Sequence, residues 1–506
     1  MARRAGSAGS PPAVETAGVT PELLHERDAR ATWHGRPAQV PRGTGVPPVD
    51  NFLCRRVWRP AHVSNERPAS GSCTYPLSSC RKVQRWRCAP PVLALALILL
   101  CVGCATLPPV HVPVAALPAE QQSRALHNLR VFNSVWDLVN RKHYDPEFQG
   151  VDWNAIAVEF GPKVAAAPDE TALYRLLNEM LDPLNDSHTH ALTPTQAIER
   201  RTQVRARTGF SMSRIDERWV VMDVLPDSPA EEAGVKVGWI VLARNGEPLG
   251  ERVDFRPREG EEASWDFLDE RNEQVRLSPA AKQLSIAPRQ IVRELEGGFV
   301  YLRFDEFDGP DRRWLSRELK KHAEAPGVVI DLRRNPGGET FSLGISIGEF
   351  FDRPVDCGTF ISRAGAERVK NSWQFGSAEF HGKVVVLVDA ATGSAAEIFA
   401  AVLQDHSRAT VVGRRTAGAV LASWFYRLPD GGELQLSRED YVAPNGRRIE
   451  GVGVEPDIVV PRRLADVRAG RDTDLVVALR VLRGELPADS TEATSKLTPV
   501  AAPRAP

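Results

Sequence analysis

The sequence predicts a multidomain α/β protein, and three patterns carry that prediction. Apolar, β-branched runs at 327–333 (GVVIDLR), 383–389 (KVVVLVD) and 409–413 (ATVVG) alternate with segments of helical period, the signature of strands covered on both faces by helices. Ahead of them, residues 205–287 break into short strand-like pieces separated by turn residues. Further ahead, LHNLRVFNSVWDLVNRKHY places Leu129, Phe132, Val135, Trp136 and Leu138 near helical spacing. A chain of 506 residues, 42% hydrophobic and 25% charged, has room for two to four such units. The formal net charge of −1, with no Lys/Arg run in the body, argues against nucleic acid as a partner.

Six of the seven cysteines, Cys54, Cys73, Cys80, Cys88, Cys101 and Cys104, precede the body, and only Cys357 lies within it. That distribution gives the body neither a disulfide framework nor a Cys/His zinc site, and Cys357 reads as a small buried apolar residue. The run PVLALALILLCVG, 91–103, is short for a bilayer span. Arg81, Lys82, Arg85 and Arg87 precede it and small residues follow, as in a signal peptide. Val102-Gly103-Cys104 resembles a lipobox with Cys101 in the usual Leu position, so 83–104 reads as a lipoprotein signal with Cys104 lipidated. A plain signal peptide and a retained anchor are the alternatives. Ala105, rather than Asp, after the cysteine leans towards the outer membrane. Residues 1–82, rich in Arg, Pro, Gly and Ser, read as a disordered or spurious leader.

In the exported body, 105–200 reads as a helical unit. TALYRLLNEMLDPL follows Asp169 as N-cap and ends near Pro183, before the loop LNDSHTHAL. The β-rich unit spans 205–290, with strands GFSMSRI, RWVVMDVL and IVLARNGEPL. Within it, Ser228-Pro229-Ala230 opens a short helix with Pro at the first position, and Gly234 closes it. The α/β unit spans 291–470: strand GFVYLRF, helix DRRWLSRELKKHAEA, strand GVVIDLR, turn RNPGGE, strand KVVVLVD, helix AAEIFAAVLQDH and strand ATVVG. Residues 486–506, rich in Ala, Pro, Ser and Thr, read as a disordered tail.

Ser394 follows strand VVVLVD and opens the next helix. An oxyanion formed there would feel the positive helix end and its free N–H groups. The same serine begins Ser394-Ala395-Ala396-Glu397, an S-x-x-E capping box. Three ordered segments decide how to read it: GVVIDLRRNPGGE, VVVLVDAATGSAAEIFAAVLQDHSRATVVGRRTAG and RRIEGVGVEPDI. Together they resemble the C-terminal-processing (tail-specific) serine peptidases and their tricorn-like branch, over most of residues 120–465. The resemblance implies a ClpP/crotonase-like peptidase core with Ser394 as nucleophile. Many members of the family place a Lys base in the turn after the next strand; here that turn is TAGAV and the position is Ala419. The tricorn-like branch supplies a His instead, preceded by Ser, in a loop after the helical segment. His188 after Ser187 matches it, with His190 as the spare candidate, and an imidazole suits proton transfer near neutrality. Glu450, before the turn GVGVEPD, matches the supporting Glu of that branch, Arg447 and Arg448 being its alternative partners. The resemblance thus implies Ser394 as nucleophile, His188 as base, and Ser187 and Glu450 as orienting groups. An oxyanion hole would come from the Ala395 N–H and from Gly337 or Gly338.

SPAEEAGVKVG resembles the PDZ module of exported proteases, departing at Trp239 where Asp is usual. That likeness makes Thr208-Gly209-Phe210 the peptide-carboxylate loop. A PDZ-shaped spacer that binds nothing is the alternative. The expectation is an exported serine endopeptidase acting on proteins or peptides through an acyl-enzyme, with no metal or organic cofactor and a lipid anchor as its membrane contact. Its rival, given force by the absent Lys, is a catalytically inactive member that binds a ligand or peptide. A start nearer Val83 than Met1 predicts that mass spectra of the producing cells contain no peptides from residues 1–80; such peptides would refute it.

Overall fold

The computed structural model describes residues 112–486 except 252, 254 and 371–378. The expected leader, signal segment with Cys104, and most of the tail fall outside the described residues. Ten helices are named α1–α10 and nineteen strands β1–β19 in chain order.

The first part is helical, as its periodicity implies. Helix α1 (Ala119–Lys142) buries Phe132, Val135 and Trp136 on one stripe. Helix α2 (Trp153–Ala165) is capped by Asp152, whose carboxylate accepts the N–H groups of Asn154 and Ala155. Helix α3 (Glu170–Leu181) starts at the expected cap, with the Asp169 carboxylate accepting the Ala172 N–H at 2.8 Å. Trp136 and Trp153 lock α1 to α2: each indole N–H donates to the other residue's carbonyl, at 3.0 and 3.2 Å. This removes the cost of burying two indole donors. Strand β1 (His190–Leu192) and helix α4 (Pro194–Thr202) complete the part, α4 carrying a Thr193/Gln196 capping box.

Next come β2 (Val204–Arg207), β3 (Phe210–Ile215), β4 (Arg218–Val224), the one-turn helix α5 (Pro229–Glu232), β5 (Ile240–Arg244), β6 (Glu247–Pro248), β7 (Trp265–Leu268), β8 (Gln274–Leu277) and β9 (Lys282–Ser285). The main sheet has the order β3-β4-β5-β7-β8, with β6 paired to β5, and β2 pairs with β9. Ser228 caps α5 and Gly234 leaves it at φ +86°, as the sequence implied. One face of the sheet closes over Val221, Trp239, Trp265 and Phe267. At Gly209 a Cβ would lie 2.2 Å from the Ser228 Cβ, so only glycine lets the strand start pass the helix.

The α/β part contributes β10 (Gln290–Glu294), β11 (Val300–Phe304), α6 (Gly309–Lys321), β12 (Gly327–Asp331), α7 (Thr340–Gly348), β13 (Asp356–Ser362), β14 (Gly365–Lys370), β15 (Lys383–Val388), α8 (Ala395–Asp405), β16 (Thr410–Gly413), β17 (Ala422–Arg427), β18 (Glu433–Val442), β19 (Ile458–Val459), α9 (Leu464–Arg468) and α10 (Thr473–Leu482). Its six-stranded sheet runs β10-β11-β12-β15-β16-β19, parallel except for β10. Alternate residues serve two cores. Val328, Ile330, Val384, Val386 and Val388 face α6, α7 and α8; Val329, Val385, Leu387 and Val412 face α10. A second sheet, β1-β18-β13-β14 with β17 on β18, covers the α8 side and joins the helical part through β1.

At the carboxyl ends of these strands, Arg333 donates to Asp331, Asp472 and Asp474, and Arg414 also donates to Asp474. The neighbouring charges hold Asp331 and Asp474 below the usual carboxylate range although burial alone would raise both. The network ties α10 to the sheet. Removing one partner strands the others, so Arg333→Ala is expected to cost about 3–5 kcal/mol, read as a lowered urea midpoint; an unchanged midpoint would refute the role.

Candidate active site

Strands β12 and β15 are adjacent and parallel, so their carboxyl ends open side by side. Ligands of open α/β sheets collect at such an edge. The loop after β12 carries Asn335-Pro336-Gly337-Gly338; the loop after β15 carries Thr392-Gly393-Ser394. They interlock. Gly393 N–H donates to the Asn335 carbonyl at 3.1 Å, and the Thr392 hydroxyl donates to the Leu332 carbonyl at 2.9 Å. A Cβ on Gly337, which sits at φ +115°, would lie 2.5 Å from the Ser394 Cβ. The glycine is therefore required by the serine beside it.

Ser394 stands on a sharp strand-to-helix turn at φ +51°, ψ −123°. A side-chain-bearing residue adopts this only when its surroundings impose it, and hydrolase nucleophiles occupy such turns. Two contacts impose it here. The Ser394 N–H lies 2.7 Å from the Ala419 carbonyl and 3.1 Å from Glu397 Oε2. Of the expected capping box, the Glu397 arm reaches back to the Ser394 N–H at 3.1 Å.

Glu397 is wholly buried. Its carboxylate accepts the Thr416 hydroxyl, the Gly418 N–H at 2.7 Å and the Ala419 N–H at 2.8 Å as well as the Ser394 N–H. Burial raises its pKa, and these donors pull it back. The position where the family's Lys would stand, Ala419, thus still touches the serine through its backbone.

The donors for an oxyanion separate cleanly. Gly337 is buried and spends its N–H on Asn335 Oδ1 at 2.9 Å. Gly338 is exposed, and among the described residues neither its N–H nor that of Ala395 has a partner.

Glu450 lies where the Ser394 loop meets the loop of His188. Its carboxylate accepts the Val420 N–H at 2.8 Å and the Ser187 N–H at 3.1 Å. Burial raises its pKa, opposed by Val420 and by both the side chain and the backbone of Ser187. The alternative partners turn elsewhere, Arg448 to Asp440 at 2.8 Å and Arg447 to Gln404 at 2.7 Å, so no surface pairing occupies Glu450. Ser187 Oγ lies 2.6 Å from His188 Nδ1. Burial pushes His188 down to about 4, with Asp186 opposing and His190 adding to the shift. His188 and Ser394 are not hydrogen-bonded to each other, and free enzymes commonly hold such pairs loosely.

Two participants were not read from the sequence as such. Asp186 accepts the N–H groups of His188 and Thr189 and so shapes the loop; an Asp just before a turn is the signal that was present. His143, from the end of α1, contacts the same carboxylate at 3.0 Å. Thr208, Gly209 and Phe210 lie in the β-rich part, Phe210 edge-on to Trp265. That part reaches the Asn335 loop through Asp223, which accepts from Arg334 at 2.6 Å.

Residues 298–460 match peptidase family S41, and residues 127–182 match the tricorn protease C1 domain. The chain carries a peptidase family S41 domain over residues 298–460. It is accordingly a serine-type peptidase. A carboxyl-terminal-processing protease of Picosynechococcus is 28% identical over 362 residues, covering 67% of this chain and 85% of the relative. Carboxyl-terminal-processing peptidase 3, chloroplastic, of Arabidopsis thaliana is 25% identical, covering 68% and 71%. The solved structure of mature CPAF complexed with lactacystin aligns with a TM-score of 0.53 at 14% identity, over 72% of this chain and 100% of that one, a likeness of fold.

The depressed His188 value has a definite sign. The folded chain resists protonating this ring, whereas the unfolded chain protonates near 6.5. Folding stability from this group is therefore lost as pH falls from about 6.5 to about 4. His188→Ala should flatten the fall in melting temperature over that interval; parallel wild-type and variant curves would refute it. For Glu397→Gln, an amide N–H₂ facing N–H donors is expected to cost about 3 kcal/mol in urea unfolding and to slow any labelling of Ser394. Wild-type stability would refute the hub.

Proposed function

We propose that this chain is an active endopeptidase of exported proteins or peptides, with Ser394 as nucleophile and His188 as general base. The observation that carries the reading is the unbroken path from Ser394 through Ala419–Val420 and Glu450 to Ser187 and His188. In it, His188 Nδ1–H donates to Ser187 Oγ, whose hydroxyl donates to Glu450. That leaves the Nε2 lone pair of a neutral imidazole to take the serine proton. Ser187 and Glu450 fix the tautomer. Attack on a peptide carbonyl forms a tetrahedral oxyanion, received by the unengaged N–H groups of Gly338 and Ala395 at the start of α8. His188 then gives its proton to the leaving amine, and water repeats the sequence on the acyl-enzyme. Gly337, buried and spent on Asn335, serves as the close-packed support rather than as a donor.

The β-rich unit is read as PDZ-like: β3, which follows Thr208-Gly209, is an edge strand of its sheet and can accept an added peptide strand. The proposed organisation keeps the unit boundaries 105–200, 205–290 and 291–470. The names of the relatives, processing proteases of carboxyl termini, make polypeptide tails the substrate class. Export and a lipid anchor at Cys104 rest on the sequence; among the described residues no helix is long and apolar enough to cross a membrane.

A fluorophosphonate probe tests the chemistry. Wild-type protein should be labelled at Ser394, and Ser394→Ala and His188→Ala should each lose about 10³-fold or more of the labelling rate. Wild-type protein that is folded and unlabelled would transfer the reading to the inactive, ligand-binding alternative.

A further inference from the structure

His143 is completely buried, and neither of its ring nitrogens faces water. Nδ1 lies 3.1 Å from the Asp145 carbonyl oxygen, and Nε2 lies 3.0 Å from Asp186 Oδ2. A carbonyl oxygen only accepts, so Nδ1 carries a proton. Asp186 is likewise committed to accepting. Besides His143 it takes the His188 N–H at 3.0 Å, the Thr189 N–H at 2.6 Å, the Thr189 hydroxyl at 2.7 Å and the Ser437 hydroxyl at 3.0 Å. The contact between Nε2 and Oδ2 needs one proton, and the other donors on Asp186 favour the ionised carboxylate, leaving that proton on the ring. Burial alone would raise Asp186, yet His143 and Thr189 hold it below the usual carboxylate range. Both imidazole nitrogens therefore face acceptors, and the ring carries both protons.

We propose that His143 is a positioning residue: doubly protonated between the Asp186 carboxylate and the Asp145 carbonyl, it fixes the loop that presents Ser187 and His188 to Ser394. The inference rests on His188 as the base. Its content is that the helical part supplies a buried cation on which the base loop is built, 43 residues away in sequence. A neutral residue in this place leaves Asp186 as a buried anion short of a donor, and the carboxylate then draws on water or shifts, carrying His188 with it. The other ionisable groups around the pair are Tyr144 and Asp145 beside His143, His188 and His190 on the loop, and Glu450, with Asp440 and Arg448 beyond Tyr144. Tyr144 is pushed up to about 12, chiefly by burial, and stays neutral, so it cannot replace the cation.

The test uses the full chain with ¹⁵N-labelled histidine, together with His143→Gln, which keeps one donor, and His143→Phe, which keeps none. In the wild type, both His143 ring nitrogens should carry protons at neutral pH, and the His188 and Thr189 amides should exchange slowly. In His143→Phe, fluorophosphonate labelling at saturating probe should slow about 10–100-fold, with half-saturation unchanged and those two amides exchanging faster. His143→Gln should fall between. A singly protonated His143, or a folded His143→Phe labelled at the wild-type rate, overturns the proposal. Should both variants fail to fold, the wild-type ring spectrum decides. If wild-type Ser394 is not labelled at all, the Ser/His reading falls, while the ring protons and amide exchange still decide whether the pair holds the loop.

Discussion

A carboxylate without access to water must find its donors within the protein, and Glu397 finds them in the Ser394 N–H and in the Thr416–Ala419 turn that faces it. The Thr416–Ala419 backbone has to wrap this one group. Once it does, the Ala419 carbonyl is aimed at the Ser394 N–H and the Val420 N–H at Glu450. The unfavourable backbone of the serine, the position of Glu450 and the reach to Ser187 all follow from satisfying a buried anion. What a sequence shows as a helix cap is here the keystone of a loop.

The remaining geometry comes from the sheet. Parallel neighbours bring two loops out at one edge, and the small residues Gly337 and Gly393 let those loops touch. The anionic residues behind that edge are compensated by Arg333, Arg414 and Arg462, so the sheet ends in a rigid, paired layer rather than in free charge. Rigidity at this edge matters for the proposed oxyanion hole, which would act only where its donors already point.

Much of this was legible in the sequence, for identifiable reasons. Runs such as VVVLVD announce buried parallel strands because both faces are apolar, and Asp169, Ser228 and Gly234 announce helix ends by local chemistry. Helix α2 was missed although Asp152 caps it, because Gly161 and Pro162 interrupt its pattern. Strands β13, β14, β17 and β18 were missed because sequences such as ASWFYR and ELQLSREDYV mix polar and apolar residues without strict alternation. Ser394, His188, Ser187 and Glu450 were visible through family resemblance, and that resemblance left Gly337 and Gly338 undivided. Only coordinates show that Asn335 takes the first of them. The positive φ of Ser394 and the meeting of His143 with Asp186 are products of tertiary packing, which no local pattern encodes.

The β-rich part is attached to the rest in two physically different ways. On one side Leu464 and Val467 of α9 join Ile215, Val220 and Ile240 in a small apolar cluster, while Arg468 donates to the carbonyls of Gly238 and Asp269. On the other, the partly exposed Asp223–Arg334 pair ties it to the Asn335 loop. Salt screens exposed ion pairs and leaves apolar contacts in place. Ionic strength therefore acts on this molecule asymmetrically: it loosens the attachment next to the Asn335 loop and spares the pivot at α9, so the saltiness of the surroundings sets how tightly the β-rich part is moored beside the proposed reacting centre.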